Sequence, residues 1–207
     1  MEYWIWLSRI QGLGPIKMKQ LLEKYQTPEK IWQLNKEELM QTKGIGEMTA
    51  EEILKDKYRK NLEQYCNYME KYNIGIITIF DSYYPERLKH IYDPPVVLYY
   101  KGNKELLRKE NVIAMVGCRE CSKYGKEISS KMSYELAKQG ICIVSGMAKG
   151  IDSYSHIGCM KAGGKTIAVL GNGLDQIYPK ENIGLYHQII QTGGLLLSEY
   201  VIRHKSI

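Results

Sequence analysis

The sequence predicts an α/β protein whose main domain is a doubly wound, mainly parallel sheet, preceded by a small all-α domain. Two observations predict the sheet. From Val112 onward, short apolar runs alternate with amphipathic stretches of helical period, and the apolar runs lead into loops that contain glycine. Continuous apolar strands separated by such helices are typical of a parallel sheet covered on both faces. The all-α domain is predicted by a third observation, the helical spacing of apolar residues near the start of the chain.

Residues 1–62 are predicted to form the all-α domain, and a glycine motif occurs twice within it. Ile10–Pro15 and Thr42–Glu47 share a Gly-apolar-Gly core, and each precedes a stretch of helical spacing. Each copy resembles a helix-hairpin-helix unit, whose turn amides can bind a DNA phosphate. Lys43 lies in the second turn, but Glu47 opposes a phosphate there, so the motif favours a structural turn over a binding site.

Residues 63–207 are predicted to form the sheet domain, entered through a connecting helix at about residues 62–73. Strands are expected at residues 75–80, 96–100, 112–116, 141–144, 166–170 and 195–197, and helices at about residues 125–139, 152–162 and 181–190. Ligands of such sheets bind at the carboxyl ends of the strands, which is where the glycine loops fall.

Two of these loops predict a phosphate site. The first, Gly117–Gly125, contains Arg119, and the second, Ser145–Asp152, contains Lys149. Glycine lets the backbone approach a ligand, and the helix that follows presents free N–H groups to an anion. The loops therefore indicate a phosphorylated ligand.

Charge and cysteine content bound the partners and the compartment. Residues 102–207 carry 14 basic and 9 acidic side chains, whereas residues 1–101 carry 15 and 14. The excess in the loop-bearing half is expected for a polyanion binder, although a solvated basic surface explains it equally well. Five cysteines, no signal peptide and no long apolar segment predict a cytoplasmic protein with no membrane partner.

Cofactor and metal sites fit the residues less well. No predicted strand is followed by Gly-x-Gly-x-x-Gly, and Gly163–Thr166 has the wrong spacing for a nucleoside-triphosphate loop and leads into a strand. We therefore expect no cofactor. Cys118, Cys121, His156 and Cys159 have ligand-like spacings, but a structural zinc usually lies in a small knuckle, so no metal is expected.

No catalytic set stands out either. Ser145, Asp152 and His156 lie close in sequence, but we interpret Asp152 as a cap of the helix it starts and His156 as a packed side chain. Asp175 and Glu199 have no predicted acid or base partner. The chain is therefore predicted not to be an enzyme.

Longer motifs resemble one family over essentially the whole chain, the DNA-processing protein A family (DprA, also called Smf). The motifs that carry the resemblance are Val116–Arg119, Tyr124-Gly125, Ser145–Asp152, Gly164–Gly171, Gly173–Asp175, Tyr178-Pro179 and Ser198–Tyr200, with Asp81–Pro85 and Asp93–Pro95 upstream.

The resemblance implies a Rossmann-like domain that binds single-stranded DNA without cleaving it. It further implies protection of incoming DNA in natural transformation, loading of the RecA recombinase for recombination, and a homodimer. Carried over by motif, the DNA contacts are Gly117, Arg119, Ser122, Ser145, Gly146, Lys149 and Lys180. The alternative is a Rossmann-like enzyme or sensor that acts on a nucleotide-derived small molecule.

Two departures from the family pattern modify this expectation. Cys118 stands where the family usually has serine, and the chain stops at Ile207, before the family's C-terminal segments. We therefore expect a C-terminally truncated sheet domain in which Leu195–Leu197 is left as an uncovered edge. Dimerisation is doubtful for such a chain, and DNA binding is expected to be weak.

Overall fold

The computed structural model describes residues 1–57 and 62–202, which form two compact units. The first unit contains Met1–Asp81 and Glu86–Val97, and the second contains Ser82–Pro85 and the chain from Leu98 onward. Residues 63–81 thus group with the N-terminal helices, whereas the sequence predicts the domain boundary between residues 62 and 63. The boundary of the sequence domains stays a prediction. Within the described residues, no helix has both the length and the apolar content needed to span a membrane.

The first unit is mainly helical, as the apolar spacing predicted. Asn35 and Glu38 form a reciprocal capping box, each side chain accepting a backbone N–H of the other at 2.9 Å, and this fixes the start of the fourth helix. The elements are α1 (Glu2–Arg9), α2 (Pro15–Tyr25), α3 (Pro28–Gln33), α4 (Lys36–Met40), α5 (Glu47–Lys57), α6 (Leu62–Lys71), β1 (Gly75–Thr78) and α7 (Glu86–Lys89). Each of the first five helices contributes a fully buried apolar side chain: Ile5, Leu21, Ile31, Leu39 and Ile53.

The two glycine motifs form equivalent turns. Gly12 and Gly44 have φ angles of +78° and +81°, a conformation that glycine adopts without steric cost. Each turn is closed by the same hydrogen bond, from Leu13 N to Ile10 O at 3.2 Å and from Ile45 N to Thr42 O at 3.0 Å. The sequence repeat is therefore a structural repeat.

The second unit is built on a mainly parallel sheet with the strand order β2-β6-β5-β4-β3. The strands are β2 (Val97–Gly102), β3 (Val112–Ala114), β4 (Cys142–Ser145), β5 (Thr166–Leu170) and β6 (Leu195–Ser198). Strands β3 to β6 run parallel, and β2 pairs antiparallel with β6 through Tyr99–Gly102. The predicted Rossmann-like α/β fold with a preceding helical region is confirmed.

Helices connect the parallel strands and form the core with them. They are α8 (Lys123–Lys138), α9 (Ile151–Lys161) and α10 (Ile183–Gln191), with 3-10 helices at Lys104–Arg108 and Lys180–Asn182. Ile143 of β4 packs with Ala137 of α8 and Cys159 of α9, and all three are buried. The packing places the starts of α8 and α9 at the carboxyl ends of β3 and β4.

The expectation that Leu195–Leu197 forms an uncovered edge is wrong. Strand β6 lies between β2 and β5, Leu195 and Leu196 have no exposed surface, and Leu197 is buried. Strand β2 pairs antiparallel with β6 and covers its edge, and apolar runs in the sequence do not predict this pairing. Within the second unit the terminal strands are β2 and β3, and Ile113 of β3 is 39% exposed.

Candidate functional site

The first two glycine loops meet at the carboxyl ends of β3 and β4. Gly150 of the second loop has φ +82°, and a Cβ placed on it would lie 2.3 Å from Cys118 O and 2.5 Å from Arg119 O of the first loop. Ile151 N donates to Cys118 O at 3.3 Å. Because only a residue without Cβ permits this approach, Gly150 fixes Arg119 beside the second loop.

The carbonyl oxygens of the second loop accept hydrogen bonds from other parts of the unit. His156 Nε2 donates to Gly146 O at 2.7 Å, Asn182 Nδ2 to Met147 O at 2.7 Å, and Ser153 Oγ to Ala148 O at 2.8 Å. In a planar trans peptide the C=O and the next N–H point in opposite directions. The N–H groups of Met147 and Lys149 are therefore directed away from these partners, as in a backbone anion site.

These loops border a cleft of about 570 Å³ with three kinds of lining. Backbone of the second loop forms one part, and the charged side chains Arg119, Lys149, Glu120 and Asp152 form another. The third part is largely apolar and includes Val169, Leu170, Tyr178, Pro179 and Tyr200. A ligand that carries both phosphate and a flat apolar group matches this division.

The charges of the cleft are partly compensated. Lys149 Nζ forms an ion pair with Glu181 of the 3-10 helix, and hydrogen bonding from Lys149 lowers the pKa of Glu181. Burial raises the pKa of Asp152, opposed by the hydrogen bond from the Ala148 amide and by the charge of Arg119. Arg119 is exposed, so its guanidinium is accessible to a ligand.

The structure brings three of the predicted site residues to the cleft lining: Arg119, Gly146 and Lys149. Lys180 is exposed and directly follows Pro179 of the lining. Whether these four residues contact DNA stays a prediction.

The other three predicted residues build the loops. A Cβ on Gly117 would lie 2.5 Å from Ile151 Cγ1, so this glycine permits close packing against α9. Ser122 Oγ accepts from Gly125 N at 3.1 Å and caps α8. Ser145 is 4% exposed and donates to Met115 O at 2.6 Å, which joins the ends of β3 and β4. Their contacts with DNA likewise stay a prediction.

The sequence predicts Asp152 as the cap of α9 and His156 as a packed side chain, and the structure treats the two residues differently. The interpretation of Asp152 as the cap of α9 is wrong: Gly150 holds the cap position without a side-chain bond, and Asp152 Oδ2 accepts from Ala148 N in the loop at 3.3 Å. His156 is completely buried, its Nδ1 lies 2.7 Å from Thr166 Oγ1, and burial lowers its pKa to about 4. Both ring nitrogens are therefore engaged within the protein.

Across residues 1–57 and 62–202, no group of three or more His, Cys, Asp or Glu side chains is arranged to hold a metal ion.

Sequence reasoning missed Asn182, whose amide binds the second loop from the 3-10 helix. Its partners lie 34 and 35 residues earlier in the chain, so no local pattern signals the contact. Tyr200 was noted only within a motif, yet it lines the cleft.

Comparison with known proteins extends these observations. Protein Smf of Synechocystis sp. is 36% identical over 206 residues, which cover 98% of this chain and 52% of that protein. The X-ray structure of DNA processing protein A from Streptococcus pneumoniae superposes with a TM-score of 0.82 at 33% identity, covering 100% of this chain and 70% of the other. A structure concerned with the single-stranded DNA binding mode of DNA processing protein A from Helicobacter pylori gives a TM-score of 0.57 at 32% identity, covering 65% of this chain and 59% of the other. The chain spans about half the length of the curated relatives it matches.

Family models match both parts of the sequence. Residues 7–56 match the SAM-like helix-hairpin-helix tandem, in agreement with the repeated glycine turns. Residues 75–207 match the model described as DNA recombination-mediator protein A, and this match includes both cleft loops. On the sheet order, the joined glycine loops and these matches, the chain belongs to the DNA recombination-mediator protein A family.

Proposed function

We propose that this chain binds single-stranded DNA and that the cleft contacts the phosphodiester backbone. The observation that carries the proposal is the junction of the two loops at Gly150, which sets Arg119 and Lys149 on one cleft. Arg119 binds phosphate through its planar guanidinium, which can donate two parallel hydrogen bonds. Lys149 and the amides of the second loop bind the same or the adjacent phosphate, and Lys180 extends the basic surface.

The apolar part of the cleft supports a nucleic-acid ligand over a bare phosphate. Tyr178 is 52% exposed and lies beside Pro179, with Val169 and Tyr200 also in the lining. Aromatic rings next to a basic groove suit single strands, because unpaired bases can stack on them with little sequence preference. The Helicobacter pylori relative, whose structure concerns its single-stranded DNA binding mode, supports this choice.

The biological role we infer follows the family. The chain protects incoming single-stranded DNA during natural transformation and helps load RecA for recombination, without catalysis and without a cofactor or metal. Names of relatives as DNA processing proteins support the DNA-processing part of the role. The RecA partner belongs to the same proposal, whereas the homodimer is proposed for the family and not for this chain.

Salt-dependent binding of labelled oligo-dT tests this function. For two cationic contacts, the slope of log K against log salt concentration is expected to be about −1.4, since each phosphate contact on a single strand contributes about −0.7. A nucleoside monophosphate serves as the competitor. Affinity for oligo-dT that does not change with salt, or tighter binding of the mononucleotide, would favour the alternative small-molecule function instead.

A further inference from the structure

We propose that Asn182 is a positioning residue that holds the second glycine loop in its phosphate-binding form; this inference rests on the proposed function. Asn182 Nδ2 lies 2.7 Å from Met147 O, 3.2 Å from Ala148 O and 2.9 Å from Ser153 Oγ. All three acceptors belong to the loop or to the first turn of the helix that follows it. One amide group thus fastens the loop that borders the cleft.

The backbone of Asn182 leaves its side chain free of a helix-capping role. Asn182 ends the 3-10 helix and immediately precedes α10, and its φ of −92° and ψ of 14° differ from the extended conformation of a capping residue. Here the side chain makes no cap bond and reaches the loop instead. By contrast, Asn103 in the same unit caps its 3-10 helix by accepting from Glu105 N at 3.1 Å. The contact of Asn182 with the loop is therefore not explained by helix capping.

The hydroxyl of Ser153 fixes which of these groups donates and which accepts. Ser153 Oγ donates its one proton to Ala148 O at 2.8 Å, so it is an acceptor toward Asn182. Met147 O and Ala148 O both accept hydrogen bonds from donors within the protein. An anion in the cleft then meets backbone N–H groups and is not repelled by these carbonyl oxygens.

The two Nδ2 protons of Asn182 serve its two shortest contacts, Met147 O and Ser153 Oγ. Loss of Asn182 therefore removes the donor to Met147 O, while Ala148 O keeps the bond from the Ser153 hydroxyl. The peptide that joins Met147 to Ala148 retains only the bond from Ala148 N to Asp152 Oδ2, at 3.3 Å. Rotation of that peptide toward the cleft would present a carbonyl oxygen to the incoming phosphate. We therefore expect Asn182 to affect affinity through the loop, without touching the ligand itself.

The test measures oligo-dT affinity of Asn182→Ala and of the near-isosteric Asn182→Leu, with Asn103→Ala as the matched control and Arg119→Ala as the variant of a direct contact. We expect Asn182→Ala and Asn182→Leu each to lose on the order of tenfold in affinity, because the Met147 carbonyl loses its donor and Ser153 loses the amide that it accepts from. The salt slope should stay at the wild-type value, since the cations remain. Asn182→Gln, which keeps an amide donor on a longer stem, should recover part of the loss, and Asn103→Ala should bind like the wild type.

Amide NMR shifts separate positioning from a general loss of stability. On addition of oligo-dT, the N–H signals of Met147 and Lys149 should shift in the wild type and shift less in Asn182→Ala at equal fractional saturation. If Arg119→Ala weakens binding while the Asn182 variants bind and shift like the wild type, the positioning role is wrong and the proposed function stands. If the wild-type chain does not bind oligo-dT, both are wrong.

Discussion

At the scale of the residue, the cleft depends on a few side chains whose charges are already partly used. Lys149 is paired with Glu181, and both side chains are largely exposed. On the proposed function, a DNA phosphate has to compete with the Glu181 carboxylate for the ammonium group. The pair holds Lys149 at the cleft but weakens its attraction for a second anion.

Replacement of this carboxylate should strengthen DNA binding. We expect Glu181→Gln to raise oligo-dT affinity by about two- to fivefold, in line with the modest energy of an exposed ion pair. Fluorescence anisotropy at two salt concentrations measures the gain, which should shrink as salt screens the charges. Glu52→Gln, which removes an acidic partner of Lys55, makes the same change in net charge on α5 of the first unit. Equal gains in the two variants would mean that only net charge matters.

At the scale of the element, backbone conformation decides whether the two loops can join. Gly150 combines a positive φ with backbone oxygens of the first loop closer than any Cβ tolerates, whereas Gly163 has φ +75° and open space around it. A substitution at Gly163 therefore measures the free-energy cost of the positive φ alone, whereas one at Gly150 adds the cost of a clash with the first loop.

Alanine at these two positions should therefore differ in effect. We expect Gly163→Ala to lower the free energy of unfolding by about 1 kcal/mol through strain of the positive φ. Gly150→Ala should cost about 1–3 kcal/mol more, because the loops must move apart, and it should weaken oligo-dT binding. Urea unfolding and anisotropy measure the two effects. Similar stability and affinity in both variants would mean that the contact between the two loops at Gly150 is not needed for folding or DNA binding.

The sequence predicts elements better than it predicts their neighbours. Apolar runs place β3 to β6 within about two residues, because strands buried in a parallel sheet need continuous apolar side chains. The glycine loops likewise point to Arg119 and Lys149. The position of β6 beside β2, and the bond from Asn182 to Met147, join residues that are far apart in the chain, so no local pattern contains them.

At the scale of the whole molecule, the described sheet leaves β3 at one side of the second unit. Ile113 of this strand is 39% exposed, and Val116, just beyond it, is 82% exposed. Terminal strands with exposed apolar side chains tend to pair with other chains. We therefore expect self-association of the chain to use this strand.

A charge on this strand should reduce that association. We expect Ile113→Lys to lower the concentration-dependent rise in sedimentation coefficient, because a lysine on a terminal strand opposes pairing. Met132→Lys on the exposed surface of α8 adds the same charge at a side chain that is 53% exposed. If both variants, or neither, change sedimentation, β3 is not the associating strand.

The central claim, that the cleft binds the backbone of single-stranded DNA, is tested most directly by comparing Arg119→Ala with Lys19→Ala. Arg119 lines the cleft, whereas Lys19 lies on α2 in the first unit, where its Nζ is 3.9 Å from Glu23 Oε1. Removal of a charged hydrogen-bond donor to phosphate should weaken oligo-dT binding about ten- to a hundredfold for Arg119→Ala and less than about twofold for Lys19→Ala. Equal losses in the two variants would contradict the claim and place the DNA contacts outside the cleft.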